Sequence, residues 1–385
     1  DCIVVLLFED LFLNNILPIT MRIKNLIMTM ITLLTGLAAK ASNADSLMIM
    51  EGFPKDEVGI EQGVSSCFAG GIDDLLVMAG GCNFPVNTLA PDSKKVFYSG
   101  IYACKTDEQD RLNWKLIGKL PEPLAYGVTV TCDNGLILVG GMNNTGSYRT
   151  VLRLTLVEGK AQVSVLPSLP CYADNMAGCL VGRHLYIAGG LMDGKASNRV
   201  LFLDLDNLSA GWKDIKPFPG MARVQPVACS MDSNKLCLFG GFSPAGNGEE
   251  ARLAMNGYVY NEATDEWTEQ EGPRDDKGEP LFVGGGIGIN LSESEFLVVG
   301  GVNKDVFLSA VNHPQPDYLS HPIEWYQFNP YTLYYNNDGW QILYKSQETA
   351  RAGAMLAHTK NGLYVIGGEL KPRVRSSRVV RYPKR

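Results

Sequence analysis

An all-β architecture of six repeated sheet modules is predicted by two observations. The first is composition. Gly makes up 41 of 385 residues and charged residues only 19%, against about 25% in an ordinary globular chain. Such a chain is rich in turns and poor in solvated helix faces. The second is a repeat: a run of three or four apolar residues followed by a glycine pair occurs at Gly80-Gly81, Gly140-Gly141, Gly189-Gly190, Gly240-Gly241, Gly300-Gly301 and Gly367-Gly368. The steps between first glycines are 60, 49, 51, 60 and 67 residues. With 45% apolar residues there is ample material for a core, and no stretch of the body reaches the 18 apolar residues of a membrane span. The net charge of −7 argues against a nucleic-acid binder, which normally carries a basic excess.

Other marks recur around the pairs. Trp114, Trp212, Trp267 and Trp340 fall between them, and apolar-Pro stops occur at Leu120-Pro121, Leu169-Pro170 and Phe218-Pro219. A period near 50 with this content resembles the kelch motif, which implies a six-bladed kelch-type β-propeller over residues 45–385. A four-stranded blade cannot bury both faces alone, so neighbours must stack around a channel. Glycine pairs let the chain leave the second strand at backbone angles closed to other residues. After Gly367-Gly368 only one more strand, near residues 377–382, fits before the chain ends. The missing outer strand is expected at residues 46–51, which end in the same apolar-Pro mark at Phe53-Pro54, and this N-terminal strand would complete the last blade and close the ring.

Residues 21–44 have the basic start (Arg22, Lys24), short apolar run and small-residue end (Ala39, Ala41, Ala44) of a secretory signal. Residues 1–20, with Glu9, Asp10 and Pro18, read as an upstream extension, and those breaks weaken the alternative of a membrane anchor. Export to the periplasm is therefore expected, with no membrane attachment after cleavage at Ala41 or Ala44. The remaining cysteines do not form a disulfide framework. Cys132, Cys179 and Cys229 sit in apolar strand patterns as small buried hydrophobes, and no CxxC occurs to suggest zinc or redox chemistry.

In a four-stranded blade, residues just after the glycine pair and just before the innermost strand share one mouth of the channel. These positions bring together Asn83, Asn175, Arg223, Gln225, Asn303, Arg351 and Glu369, a mostly uncharged set punctuated by arginine. Amides suit hydroxyl groups, and arginine suits a carboxylate through paired bonds. The alternative is turn chemistry for the asparagines and loop-carbonyl bonding for Arg223 and Arg351. The last blade is the most informative: Gly367-Gly368-Glu369-Leu370-Lys371-Pro372-Arg373-Val374-Arg375 puts an acid and several cations at the mouth.

That stretch resembles the Gly-Glu-x-Lys-Pro-Gly-x-Arg loop of bacterial sialic acid mutarotases, the N-acetylneuraminate epimerases. Phe68-Ala69-Gly70, Ala79-Gly80-Gly81-Cys82-Asn83-Phe84, Arg223-Val224-Gln225 and Gly300-Gly301-Val302-Asn303 resemble the same family. Placement of the Glu-bearing blade last is similar to a cyclically permuted mutarotase branch. The resemblance implies an isomerase that exchanges the α and β anomers of sialic acid. Glu369 and Arg375 would be its functional pair, an acidic sugar its substrate, and no cofactor or metal would be needed. Arg373 stands where the family has glycine. Asn83, Asn175, Arg223, Gln225, Asn303 and Arg351 are candidate substrate-binding residues.

The insertion over residues 304–324, with His313 and His321, leaves the fifth blade on the site face and reads as a lid, a surface loop or an oligomer contact. A non-enzymatic kelch module binding protein or glycan is the main alternative. A sialidase is disfavoured because no Ser-x-Asp-x-Gly-x-x-Trp box occurs, and a copper radical oxidase because the chain has only four histidines.

Overall fold

The computed structural model describes residues 47–383 apart from 87–89, 91 and 107–110. The expected extension and signal segment lie outside the described residues. Six four-stranded antiparallel sheets follow one another along the chain. Their innermost strands are Phe68–Ile72, Val128–Cys132, Ala177–Val181, Val227–Met231, Gly286–Ser292 and Met355–Thr359. In the first five sheets the strands run outward in chain order. The sixth takes its outer strand from the other end: Met48–Met50 pairs with Val379–Arg381 in the register Met48 to Arg381 and Met50 to Val379.

Each innermost strand lies against that of the next sheet, and that of the sixth against that of the first. Apolar layers fill the gaps between sheets. Leu138, Leu152 and Leu154 of the second sheet pack on Val77 and Ile101 of the first, and Ile366 and Val379 of the sixth on Leu76 and Met78 of the first. Cys132, Cys179 and Cys229 stand in innermost strands as expected, and among the described residues the eight cysteines from Cys67 to Cys237 are buried and form no disulfide.

The recurring marks have physical roles. All twelve glycines of the six pairs have positive φ. At Gly300 an added Cβ would stand 2.1 Å from the Arg351 carbonyl oxygen, to which Gly301 donates at 2.8 Å; a side chain would push the two sheets apart. The tryptophans tie outer strands to the link before their own sheet: the Trp212, Trp267 and Trp340 indoles donate to the carbonyls of Pro167, Lys216 and Glu271.

The one α-helix among the described residues, Lys304–Asn312, lies in the insertion, where the sequence expected a loop. Asn303 is its N-cap, accepting from the amides of Asp305 and Val306.

Candidate functional site: a polar ring and a Glu-Arg hairpin under a short helix

Just before each innermost strand stands a residue in left-handed conformation: Ser66 (φ 53°), Tyr126 (62°), Asn175 (53°), Gln225 (54°), Gly285 (75°) and Gly353 (60°). Their backbones form a closed circle. Ser66 donates to Gly353, Gly353 to Gly285, Gly285 to Gln225, Gln225 to Asn175, Asn175 to Tyr126, and Tyr126 to Ser66, at 2.7 to 3.2 Å. Adopting φ > 0 costs a non-glycine residue of order 1 kcal/mol or more, and here the inter-sheet hydrogen bond offsets it. All six line one cavity of about 420 Å³. Four of them present polar side chains, and at Gly285 and Gly353 the wall is bare backbone. The Gln225 amide donates to Asn175 Oδ1 at 2.9 Å, linking two members of the ring.

Glu369 enters the same cavity from the sixth sheet. Its backbone is paired with Ala352, next to Gly353 of the ring, at 2.7 and 3.0 Å. It begins a hairpin, Glu369–Lys371 and Val374–Arg375, in which Glu369 and Arg375 are register partners. Arg375 donates from Nη1 to the Glu369 carboxylate. The arginine side chain is 3% exposed and the glutamate 23%, so the carboxylate is the member of the pair that a ligand in the cavity can touch. Burial raises the Glu369 carboxyl above the ordinary glutamate value, against the pull of Arg375, Lys95 and the Arg373 backbone. Burial is the largest influence on Arg375 and works against its charge, but Glu369, Cys82 and Tyr126 together outweigh it and the guanidinium stays a cation. Arg375 also reaches the Cys82 carbonyl and lies over the Phe84 ring at 5.6 Å.

The turn of this hairpin holds Arg373, which stands where the resembled loop has glycine. Its φ is 70°, the conformation a glycine would take. The side chain compensates by donating to the Ala90 carbonyl at 2.8 Å and stacking 5.2 Å over Phe84. Lys371, in the same hairpin, donates to the carbonyls of Leu319 and His321 and so ties the hairpin to the insertion. The helix Lys304–Asn312 covers the cavity with Val306, Phe307, Ala310 and Val311, joined by Tyr318 and Tyr326. None of its residues is fully buried, although four of them are apolar or small and face this cavity.

Of the residues singled out from sequence, Glu369, Asn175, Gln225 and Asn303 line the cavity. Arg375 backs it through Glu369. Arg223, Arg351 and Asn83 are placed elsewhere. Arg223 and Arg351 each precede a ring residue by two positions and clamp the glycine turn of their own sheet to its third strand. Arg223 bonds the carbonyls of Gly240 and Asn256 and the Asn256 side chain. Arg351 bonds those of Gly367 and Arg378. Both are about 1% exposed, and neither lines the cavity. Asn83 donates to the carbonyls of Gly59 and Gly63 and accepts from Tyr98, holding the link before the first sheet. Among the described residues no group of three or more His, Cys, Asp or Glu is placed to hold a metal; His321 stacks on Trp325 at 3.9 Å.

Sequence reading passed over Lys95 and Ser66. Lys95 donates to the Tyr126 hydroxyl at 2.9 Å. It lies in the link between the second and third strands of the first sheet, away from the glycine pair and the innermost strand. Ser66 stands two residues before the first innermost strand, in a left-handed turn that no glycine marks in the sequence.

A family model described as N-acetylneuraminate epimerase matches residues 28–163 and 166–383. A Kelch domain-containing protein of Vibrio cholerae is 29% identical over 235 residues, 57% of this chain and 63% of that protein. An N-acetylneuraminate epimerase of Haemophilus influenzae is 30% identical over 231 residues, 56% of this chain and 59% of the relative. One of Salmonella typhi is 26% identical, with 62% and 64% covered. The chain therefore spans somewhat under two thirds of the length of the curated relatives it matches. A solved structure titled "Structure of YjhT" superposes with a TM-score of 0.57 at 13% identity, covering 83% of this chain and 93% of that one, a likeness of fold. By the extent of the family match, the chain belongs to the N-acetylneuraminate epimerase family.

Proposed function

We propose that the protein is a sialic acid mutarotase, an isomerase that interconverts the α and β anomers of N-acetylneuraminate by opening and reclosing the sugar ring, and that it works in the periplasm on a six-bladed propeller. The propeller reading is supported by the six sheets in succession and by the circle of backbone bonds from Ser66 round to Gly353. The periplasmic reading rests on the leader pattern of residues 21–44.

The observation that carries the activity is the Glu369 carboxylate, held by Arg375 and turned into a cavity lined by Ser66, Tyr126, Asn175 and Gln225. A cavity of about 420 Å³ lies in the range of small-molecule sites. Ring opening removes the proton of the anomeric hydroxyl, breaks the bond from anomeric carbon to ring oxygen, and leaves a carbonyl and a new hydroxyl. Reclosure on the other face reverses each transfer. Glu369 takes the anomeric proton and returns it; a carboxyl raised above its usual value is better matched to neutral pH for both tasks. Arg375 orients the carboxylate, and the ring amides and hydroxyls hold the sugar so that the carbonyl is attacked from its second face.

The test is anomer exchange followed by NMR on freshly released α sugar. The protein should accelerate it, and Glu369→Gln should lower the rate by about 100-fold or more while the protein stays folded. Exchange at the wild-type rate in Glu369→Gln would remove Glu369 from this role. Saturable sugar binding with no acceleration by the wild type would instead make the protein a glycan-binding kelch module.

A further inference from the structure

A carboxylate that takes the anomeric proton leaves the ring oxygen to be protonated, and the site holds a second group suited to that step. We propose that Tyr126 is the proton donor to the ring oxygen and that Lys95 is the positioning residue that makes its hydroxyl a donor. This rests on the mutarotase reading above and names a catalytic group of that same site.

Tyr126 is a member of the backbone ring, fixed by its bonds to Ser66 and Asn175, and lines the cavity together with Glu369. A lysine ammonium has three donors and no acceptor. The bond from Lys95 Nζ to Tyr126 Oη at 2.9 Å therefore makes the phenol oxygen the acceptor and turns the phenol proton away from Lys95. Cys82 Sγ lies 3.5 Å from the same oxygen and is at best a weak partner. Lys95 is itself fixed: its Nζ lies over three rings, at 4.8 Å from the centre of Tyr126, 5.7 Å from Phe84 and 5.9 Å from Phe97. The other arginines near the mouth are engaged on carbonyls, and Arg375 on Glu369. Burial holds the phenol well above its ordinary value, so it is protonated at neutral pH and is a donor rather than a base.

The step balances. As Glu369 takes the anomeric proton, the anomeric carbon becomes a carbonyl, the bond to the ring oxygen breaks, and that oxygen takes the Tyr126 proton. The phenolate left behind is stabilised by Lys95. On reclosure the new hydroxyl attacks the other face of the carbonyl and returns its proton to Tyr126, while Glu369 returns its own, so nothing is consumed.

Tyr126→Phe should lower kcat for anomer exchange by about 100-fold, with KM changed by less than about threefold. Lys95→Met should lower kcat less, about tenfold, and should have no further effect in the Tyr126→Phe background. A ring-fluorinated tyrosine at position 126 keeps the packing and acidifies the phenol. It should bring a fall in kcat at alkaline pH that the wild type lacks. The groups facing the phenol are Lys95, Cys82, Arg375 and Glu369, of which only Tyr126 is altered by the fluorine. Wild-type kcat in Tyr126→Phe, equal losses from Lys95→Met in both backgrounds, or an unmoved alkaline profile would each overturn the inference. If Glu369→Gln is inactive while Tyr126→Phe keeps full rate, only this inference fails. If the wild type does not accelerate exchange at all, the mutarotase reading fails with it.

Discussion

Glu369 and Arg375 stand opposite one another on the two strands of a hairpin that turns at Pro372-Arg373, joined side chain to side chain, with the acid facing the cavity and the base behind it. Two opposing influences meet at the carboxyl: burial favours the neutral acid, and Arg375 is the largest of the effects favouring the anion. The balance decides at which pH the group is a base.

Replacing Arg375 by Met removes the anion's main support, so the Glu369 carboxyl should move further up. Because the ionised form is the base, the acid limb of kcat/KM for anomer exchange should shift to higher pH in Arg375→Met and less so in Arg375→Lys. A pH profile of the three proteins checks this, and an acid limb that stays in place would dissociate the limb from Glu369.

Arg351 and Arg223 predict a different phenotype. Each bonds two loop carbonyls from a buried position, and a buried acceptor left unpaired costs about 1–3 kcal/mol. Arg351→Met should destabilise the protein by about 2–4 kcal/mol in urea unfolding, Arg223→Met similarly. The folded fraction should keep its exchange rate, because neither side chain lines the cavity. A rate loss without a stability loss would return either arginine to the substrate.

The strand Met48–Met50 supplies the fourth strand of the sixth sheet. Deleting residues 47–54 should bare the edge of Val379–Arg381 and strip Met50 from the layer between the sixth and first sheets. The expected result is a clear drop in melting temperature; an unchanged melt would show that the strand adds nothing to the ring.

At Arg373 two contributions oppose. Glycine would relieve the left-handed backbone, worth about 1 kcal/mol, but would lose the bond to Ala90 and the stack on Phe84. Arg373→Gly should therefore lie within about 1 kcal/mol of wild type and keep its exchange rate within about twofold. Arg373→Ala loses the contacts and keeps the strain, so it should be the less stable of the two by about 1 kcal/mol. Equal stability of both variants would show that the turn carries no strain.

Much of this protein was legible along the chain because its devices are local. A glycine pair after an apolar run requires positive φ whatever surrounds it, and the pairs mark where each sheet turns. The Phe53-Pro54 stop located the strand that the sixth sheet lacked. The acid and base of the hairpin lie six residues apart and meet through one tight turn; the residues alone showed an acid among several cations, and the resemblance to the mutarotase loop singled out Arg375 as its partner. The helix Lys304–Asn312 was harder to see: its nine residues follow no long apolar period, and Asn303, which lines the cavity, caps it as well.

Sequence by itself determined the number of sheets, the terminal strand that completes the sixth, and the identity of the acid at the mouth, since each depends on a pattern within a few residues of chain. Only the tertiary structure decided which polar groups face the cavity. Arg223 and Gln225 are two residues apart, yet one clamps a turn and the other lines the site. Lys95 and Tyr126 are brought together by the packing of the first two sheets. Which way a buried donor points depends on which carbonyl or hydroxyl the fold leaves without a partner, and that is set by neighbours distant in the chain.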